Sequence, residues 1–237
     1  MELSKRLFAV AAMVSPCEKM ADIGTDHGYI PIYLIEQKKV GHALAMDINK
    51  GPLQRAREHV TLHQLDEYIE LRLSNGAEKL QPQEVDVVVI AGMGGRLMMK
   101  IIEERKEVFH SLKEFVIQPQ SEYGGVRHYL EEQGFQILEE NMVEEDGKYY
   151  PMMKVSKGSM KLSKKCFYEY GSFLLKEKNP VLYEYLKKEQ ENYKKIRENL
   201  LKGKSEKQKS RLLEVEEILS VNKEALTYFE KDENAAE

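Results

Sequence analysis

Residues 85–92, VDVVVIAG, decide the fold. Val87, Val88, Val89 and Ile90 follow one another with no polar alternation, which suits a strand covered on both faces, as in the middle of a parallel sheet. Outward from this run, strand-like stretches fall at 18–23 (EKMADI), 42–47 (HALAMD), 68–74 (YIELRLS) and 114–119 (EFVIQP). Helix-period stretches at about 30–38, 50–64, 94–107 and 122–133 lie between them. Two more strands, FQILEENMV and KYYPMMKV, flank EEDGK, whose Asp-Gly is a hairpin signal. Alternating strands and helices predict an α/β fold with a doubly wound sheet that ends in a hairpin.

The chain has 237 residues, 42% hydrophobic and 32% charged, with a mean hydropathy of −0.55, so it can bury a core as one or two globular domains. No run approaches the roughly 18 apolar residues of a membrane span, and MELSKRLFAVAAMVSP lacks the cleavage context of a secretory signal. A cytoplasmic protein with no membrane partner is expected. Cys17 and Cys166 are too few for a disulfide framework, and no Cys/His cluster has metal-ligand spacing.

Charge divides the chain. Residues 1–160 carry 19 Lys and Arg against 25 Asp and Glu, whereas residues 161–211 carry 15 against 7, an excess largely cancelled at the acidic end KDENAAE. The helix-only pattern also begins there, so a boundary near SKGSMKLS predicts domains at 1–158 and 159–237. In the second, Leu182, Leu186, Tyr193, Ile196 and Leu200, then Leu212, Val215, Leu219, Asn222, Leu226 and Phe229, have heptad-like spacing. Two helices joined by the polar link LKGKSEKQKS predict an antiparallel hairpin, the first helix running from about Pro180 to Leu201. Lys187, Lys188, Lys194 and Lys195 on it, with Lys5 and Arg6 near the N-terminus, are candidates for tracking phosphates. A solvated helix face accounts for the same charges.

Ligands of a doubly wound sheet bind beyond the C-terminal strand ends. There stand Asp22-Ile23-Gly24-Thr25-Asp26-His27-Gly28, then Asp47-Ile48, Asn75-Gly76-Ala77, Ala91-Gly92-Met93-Gly94-Gly95 and Gln118-Pro119. Asp47 comes 23 residues after Gly24, near the spacing at which a carboxylate meets ribose hydroxyls. A pyrophosphate on the following helix would face Asp22 and Asp26, a repulsion of several kcal/mol in a partly desolvated crevice. S-adenosylmethionine carries cationic groups instead, to which these acids are an attraction. Asn75 with Ala77 suits the adenine edge. Each feature also has a plainer role. Asp22 and Asp47 read as helix caps, Asn75 as a turn residue, and the glycines of AGMGG as close helix packing.

Together these residues resemble the bacterial TrmK family of tRNA (adenine-N1)-methyltransferases acting at tRNA position 22. The likeness runs from Leu3-Ser-Lys-Arg-Leu7 to the helical tail. It implies a seven-stranded, Rossmann-like, S-adenosylmethionine-dependent methyltransferase domain with a C-terminal helical coiled-coil domain, acting on tRNA. The cofactor set is then Asp22, Gly24, Thr25, Gly28, Asp47, Ile48, Asn75, Gly76, Ala77 and Gly92. Many amino-methylating enzymes carry an Asn/Asp-Pro-Pro-aromatic turn after the fourth strand, and this chain has AGMGG, so their acceptor chemistry does not transfer.

Adenine N1 has an in-plane lone pair at neutral pH, so methyl transfer needs alignment more than a strong base. N1 lies on the Watson–Crick edge, so a paired adenine must be exposed first. Tyr29 is the candidate for stacking on the base, and His27 or Asp26 for accepting from its exocyclic amine. The alternatives are an NAD-dependent oxidoreductase, which would want Gly at position 26, and a non-catalytic nucleotide-binding scaffold. The sequence leaves the oligomeric state open, a monomer included.

Overall fold

The computed structural model describes residues 1–203 and 205–230; Lys204 in the link and the acidic end, residues 231–237, lie outside them. The chain divides into two compact units, one from Met1 to Lys161 and one from Leu162 onward. Each expected strand of the first unit is present: β1 (Cys17–Ile23), β2 (Val40–Asp47), β3 (Ile69–Leu73), β4 (Val87–Met93), β5 (Glu114–Pro119), β6 (Phe135–Glu145) and β7 (Lys148–Lys157). They form one sheet in the order β3-β2-β1-β4-β5-β7-β6. The first five are parallel, and β7 enters antiparallel between β5 and β6. Val87 to Ile90 are all buried, as the absence of alternation requires. Asp146 and Gly147 both take positive φ, 53° and 76°, which matches the twist of the β6–β7 hairpin.

Two helical features depart from the sequence reading. Residues unassigned there form α1 (Lys5–Met13), capped by the Ser4 hydroxyl, which accepts from the Leu7 N–H at 3.3 Å. Its buried Ala9, Val10, Ala11 and Met13 join a core cluster with α2 (Tyr29–Glu36) and the sheet. The expected helix at 94–107 breaks into α4 (Gly95–Glu104) and α5 (Lys106–Phe109). At the break the Arg105 guanidinium donates to the carbonyls of Ala77 and Glu78, a long-range capture invisible to helical period. The remaining helices, α3 (Lys50–Leu62) and α6 (Tyr123–Glu132), fall where expected.

The second unit holds α7 (Lys165–Tyr170), α8 (Ser172–Lys176), α9 (Pro180–Leu201) and α10 (Glu206–Glu230). Asn179 caps α9, accepting from the N–H groups of Val181 and Leu182 at 3.0 and 3.1 Å, with Pro180 in the first turn. The α9–α10 pair is antiparallel: Asn222 donates to the Leu186 carbonyl at 3.0 Å, and Arg197 to Glu216 at 3.2 Å. Only part of the anticipated stripe is buried. Leu182, Leu186, Val215 and Asn222 are interior, together with Val221 and Ala225 from outside the stripe, because α7 and α8 also pack on α10. Ile196 is 39% exposed, as two helices alone offer nothing to cover it. The link is also shorter than LKGKSEKQKS, since α10 begins at Glu206.

Candidate active site

The strand ends of β1 and β2 are tied together by backbone. Gly24 and Thr25 both donate to the Met46 carbonyl, at 2.8 and 2.9 Å, which turns the loop after β1 over the end of β2. The consequence is a buried carboxylate at the end of each strand. Asp22 is 3% exposed and accepts from the Thr25 hydroxyl at 2.7 Å; Asp47 is 9% exposed and accepts from the Asn49 N–H at 2.8 Å. Burial pushes the Asp22 carboxyl up to about 7 against the stabilising Thr25 hydrogen bond, and the Asp47 charge adds to the rise. Neither acid serves as a helix cap: α2 is preceded by Gly28 and α3 by Asn49.

Two clefts open at these strand ends and share Gly24, Ala91 and Gly92 as walls. One, of about 330 Å³, is lined by Asp47, Ile48, Asn75, Gly76, Leu97 and Ile101 among others. The other, of about 310 Å³, is lined by Arg6, Asp22, Asp26, His27, Tyr29 and Gln120 among others. The glycines of AGMGG divide their roles. Gly92 takes φ +77° between the clefts, whereas a Cβ on Gly95 would stand 2.4 Å from the Ser121 carbonyl oxygen, so close packing excludes any larger residue there.

Gln118, fully buried, does more than end β5. Its Oε1 accepts from the Gly92 N–H at 3.2 Å and from Arg6 Nη1 at 3.1 Å, and its Nε2 donates to the Pro119 carbonyl at 2.8 Å. Arg6 also lies over the Tyr150 ring, 5.6 Å from its centroid. Thus Arg6, expected on a phosphate-tracking surface, is held as a wall of the second cleft. Arg6 lies on α1 and its partners on β5 and β7, and no local signal marked it as a cleft residue.

At the mouth, the rings of His27 and Tyr29 are 5.1 Å apart and within 7° of parallel. His27 Nδ1 is buried with no hydrogen-bond partner in the protein, a state that buried polar atoms seldom keep without a reason. Asp26, exposed, pairs with Arg55 at 2.9 Å and stands 3.6 Å from His27 Nε2. Two expected cofactor residues line neither cleft: Gly28 faces Ala56 of α3, and the buried Ala77 gives its carbonyl to Arg105. Leu97 and Ile101 line the first cleft although nothing in the sequence pointed to them, since apolar helix residues carry no site signal of their own. On α9, Lys187 pairs with Glu184 at 2.6 Å and Lys194 donates to Gln190 at 2.7 Å, while Lys188 and Lys195 are exposed. Lys5 is exposed, its backbone N–H bound to Glu145 at 2.6 Å. Among the described residues no helix is long and apolar enough to cross a membrane, and no group of three or more His, Cys, Asp and Glu could hold a metal ion.

The strand order, with an antiparallel β7 between β5 and β6, and the crevice of acids at the strand ends define a Rossmann-like, S-adenosylmethionine-dependent methyltransferase. Residues 20–224 match the model of the family TrmK, tRNA (adenine(22)-N(1))-methyltransferase, and the chain belongs to that family. A tRNA (adenine(22)-N(1))-methyltransferase of Bacillus subtilis (strain 168) is 31% identical over 234 residues, 96% of this chain and 98% of the relative. The crystal structure of Streptococcus pneumoniae Sp1610, solved in complex with S-adenosyl-L-methionine, is 35% identical with a TM-score of 0.85, covering 95% of this chain and 100% of that one. M. capricolum TrmK, solved with S-adenosyl-homocysteine, is 28% identical with a TM-score of 0.84, covering 96% and 99%.

Proposed function

We infer that this chain methylates N1 of the adenine at position 22 of tRNA, using S-adenosylmethionine held across the two joined clefts. The observation that carries the reading is the pair of buried acids, Asp22 and Asp47, at the ends of β1 and β2 where the two clefts open. The donor set fits this cofactor: Asp47 would take the ribose hydroxyls, Ile48 and Asn75 the adenine, and Asp22 the cationic end, with Gly24 and Gly92 letting the backbone approach. When bound, the cofactor supplies an electrophilic methyl group on a sulfonium. The chain's own share is orientation and exclusion of water. Tyr29 offers a stacking face at the mouth of the second cleft. His27, which lines the same cleft, accepts from the exocyclic amine and favours the positive charge that develops on the methylated base. Asp26, already paired with Arg55, is the weaker candidate for that contact. A dinucleotide in the same clefts would set its pyrophosphate against these acids, which disfavours the oxidoreductase alternative.

In this reading the second domain, from about residue 159, is the arm that holds tRNA. Lys187 and Lys188 recur seven positions later as Lys194 and Lys195, a spacing of two helical turns that keeps them on one side of α9. Bulk tRNA from a strain lacking the enzyme, incubated with labelled cofactor and digested to nucleosides, should give 1-methyladenosine; label in another nucleoside, or none, would end the reading. Reversing the four lysine charges in the full chain should weaken tRNA binding and flatten its salt dependence by roughly 0.7 to 0.9 in log–log slope per lost phosphate contact, with cofactor affinity unchanged. An unaltered slope would leave the tail a structural appendage.

A further inference from the structure

The loop that carries His27 and Tyr29 is held from outside the clefts. Arg55 Nη2, on α3, donates to Asp26 Oδ1 at 2.9 Å. Ala56, the next residue, sits where a Cβ on Gly28 would meet it at 3.4 Å. One turn on, His59 Nδ1 is 2.9 Å from the His27 carbonyl oxygen, which can only accept, so the proton is on Nδ1 of His59. The His59 ring also lies 5.5 Å from that of His27 and 5.3 Å from that of Tyr29, within 22° and 15° of parallel. Three consecutive contacts from one helical face thus reach the loop at Asp26, His27 and Gly28. Asp26 itself has φ +50°, a left-handed backbone that a non-glycine residue keeps only where its surroundings impose it. Arg55 and His59 line neither cleft, so no contact with the cofactor accounts for them.

We propose that Arg55 and His59 are positioning residues for methyl transfer: α3 clamps the loop so that the rings of His27 and Tyr29 stay parallel and hold the target adenine at the height the methyl group requires. The proposal rests on the reading of His27 and Tyr29 as the acceptor platform. It also gives α3 a double duty, because the helix starts at Lys50, directly after Asp47 and Asn49 at the ribose end of the crevice. One element therefore fixes the distance between the end that seats the nucleoside and the loop that seats the acceptor.

The test uses the full chain, unmodified tRNA and saturating S-adenosylmethionine, with three readouts: single-turnover methylation rate, calorimetric cofactor affinity and thermal midpoint. His59→Ala and Arg55→Gln should each slow methyl transfer by about 10- to 100-fold, the scale of an ångström-level misplacement, with affinity and midpoint unchanged. His59→Asn, which keeps a side-chain N–H near the Nδ1 position, should recover most of the rate, and His59→Phe, which keeps only a ring, should recover less. Rate losses matched by equal losses of cofactor affinity or of folded protein would make α3 ordinary scaffolding and overturn the proposal; if His59→Ala does not fold, Arg55→Gln decides by the same criteria. Tyr29→Ala separates the two readings. Wild-type turnover in Tyr29→Ala would sink the platform and the clamp together, whereas a slow Tyr29→Ala beside wild-type rates in both α3 variants would sink the clamp alone.

Discussion

At the edge of the sheet, Arg127 of α6 and Glu140 of β6 are buried together, Nε to Oε1 2.8 Å apart and 1% and 0% exposed. At the ends of β1 and β2 the same sheet buries Asp22 and Asp47, two groups of like sign held by a hydroxyl and a backbone N–H. The first arrangement is complete within the chain. In the second, burial lifts the Asp22 carboxyl and the Asp47 charge adds to the rise; in the proposed reading a cationic ligand completes it. The contrast between these two sites is one of pairing: opposite signs brace the sheet edge, and in the proposed reading a ligand supplies the charge that the acids at the strand ends lack.

Breaking the complete pair should have the largest effect. Arg127→Ala removes the guanidinium from the buried Glu140 carboxylate and should cost about 3–5 kcal/mol of stability, read as a fall in denaturation midpoint. Methylation per folded molecule should stay near wild type; a stable Arg127→Ala protein would dissolve the contrast. Asp47→Ala acts in the opposite sense, weakening S-adenosylmethionine by roughly 1–3 kcal/mol in calorimetry while leaving the midpoint unchanged or raised. Unchanged affinity in the folded variant would remove Asp47 from the site.

The smallest effect is the most diagnostic. The folded Asp22 value, about 7, lies above the ordinary 3.8, so the fold favours the neutral acid. This group's contribution to stability is full below about 3.8 and is lost as pH rises through about 7. A cationic ligand prefers the ionised form, so cofactor affinity should climb by up to about tenfold per pH unit toward 7 and level off above it. Asp22→Asn should bind more weakly at pH 8, lose that slope and be stabilised relative to wild type at high pH. A wild-type affinity flat between pH 5.5 and 7.5 would mean that Asp22 does not meet the cation.

The strands were legible because their signal is local: VVVI lacks alternation whatever surrounds it, and Asp146-Gly147 fits the primed turn by its own backbone freedom. The acids were legible for a related reason, since a residue directly after an apolar run stands at a strand end in any doubly wound sheet. Less could be read where one segment meets another far along the chain. Gly28 and Ala77 lie in the right loops yet face Ala56 and Arg105, and the heptad stripe gave the spacing of the tail helices without saying where α7 and α8 would add a second packing side.

By itself the sequence determined the sheet, the hairpin, the change of character toward the tail and the acid-lined crevice, because periodicity, turn chemistry and charge act over a few residues. The tertiary structure alone decided that Arg6 stands in the cleft through Gln118, 112 residues away, and that Arg55 and His59 reach back 29 and 32 residues to Asp26 and His27. It also decided that Asp22 and Asp47 are both buried at the ends of neighbouring strands, where desolvation moves the pKa of the first. Those are properties of distance in space, and the dielectric and the partners that set them exist only once the chain has closed.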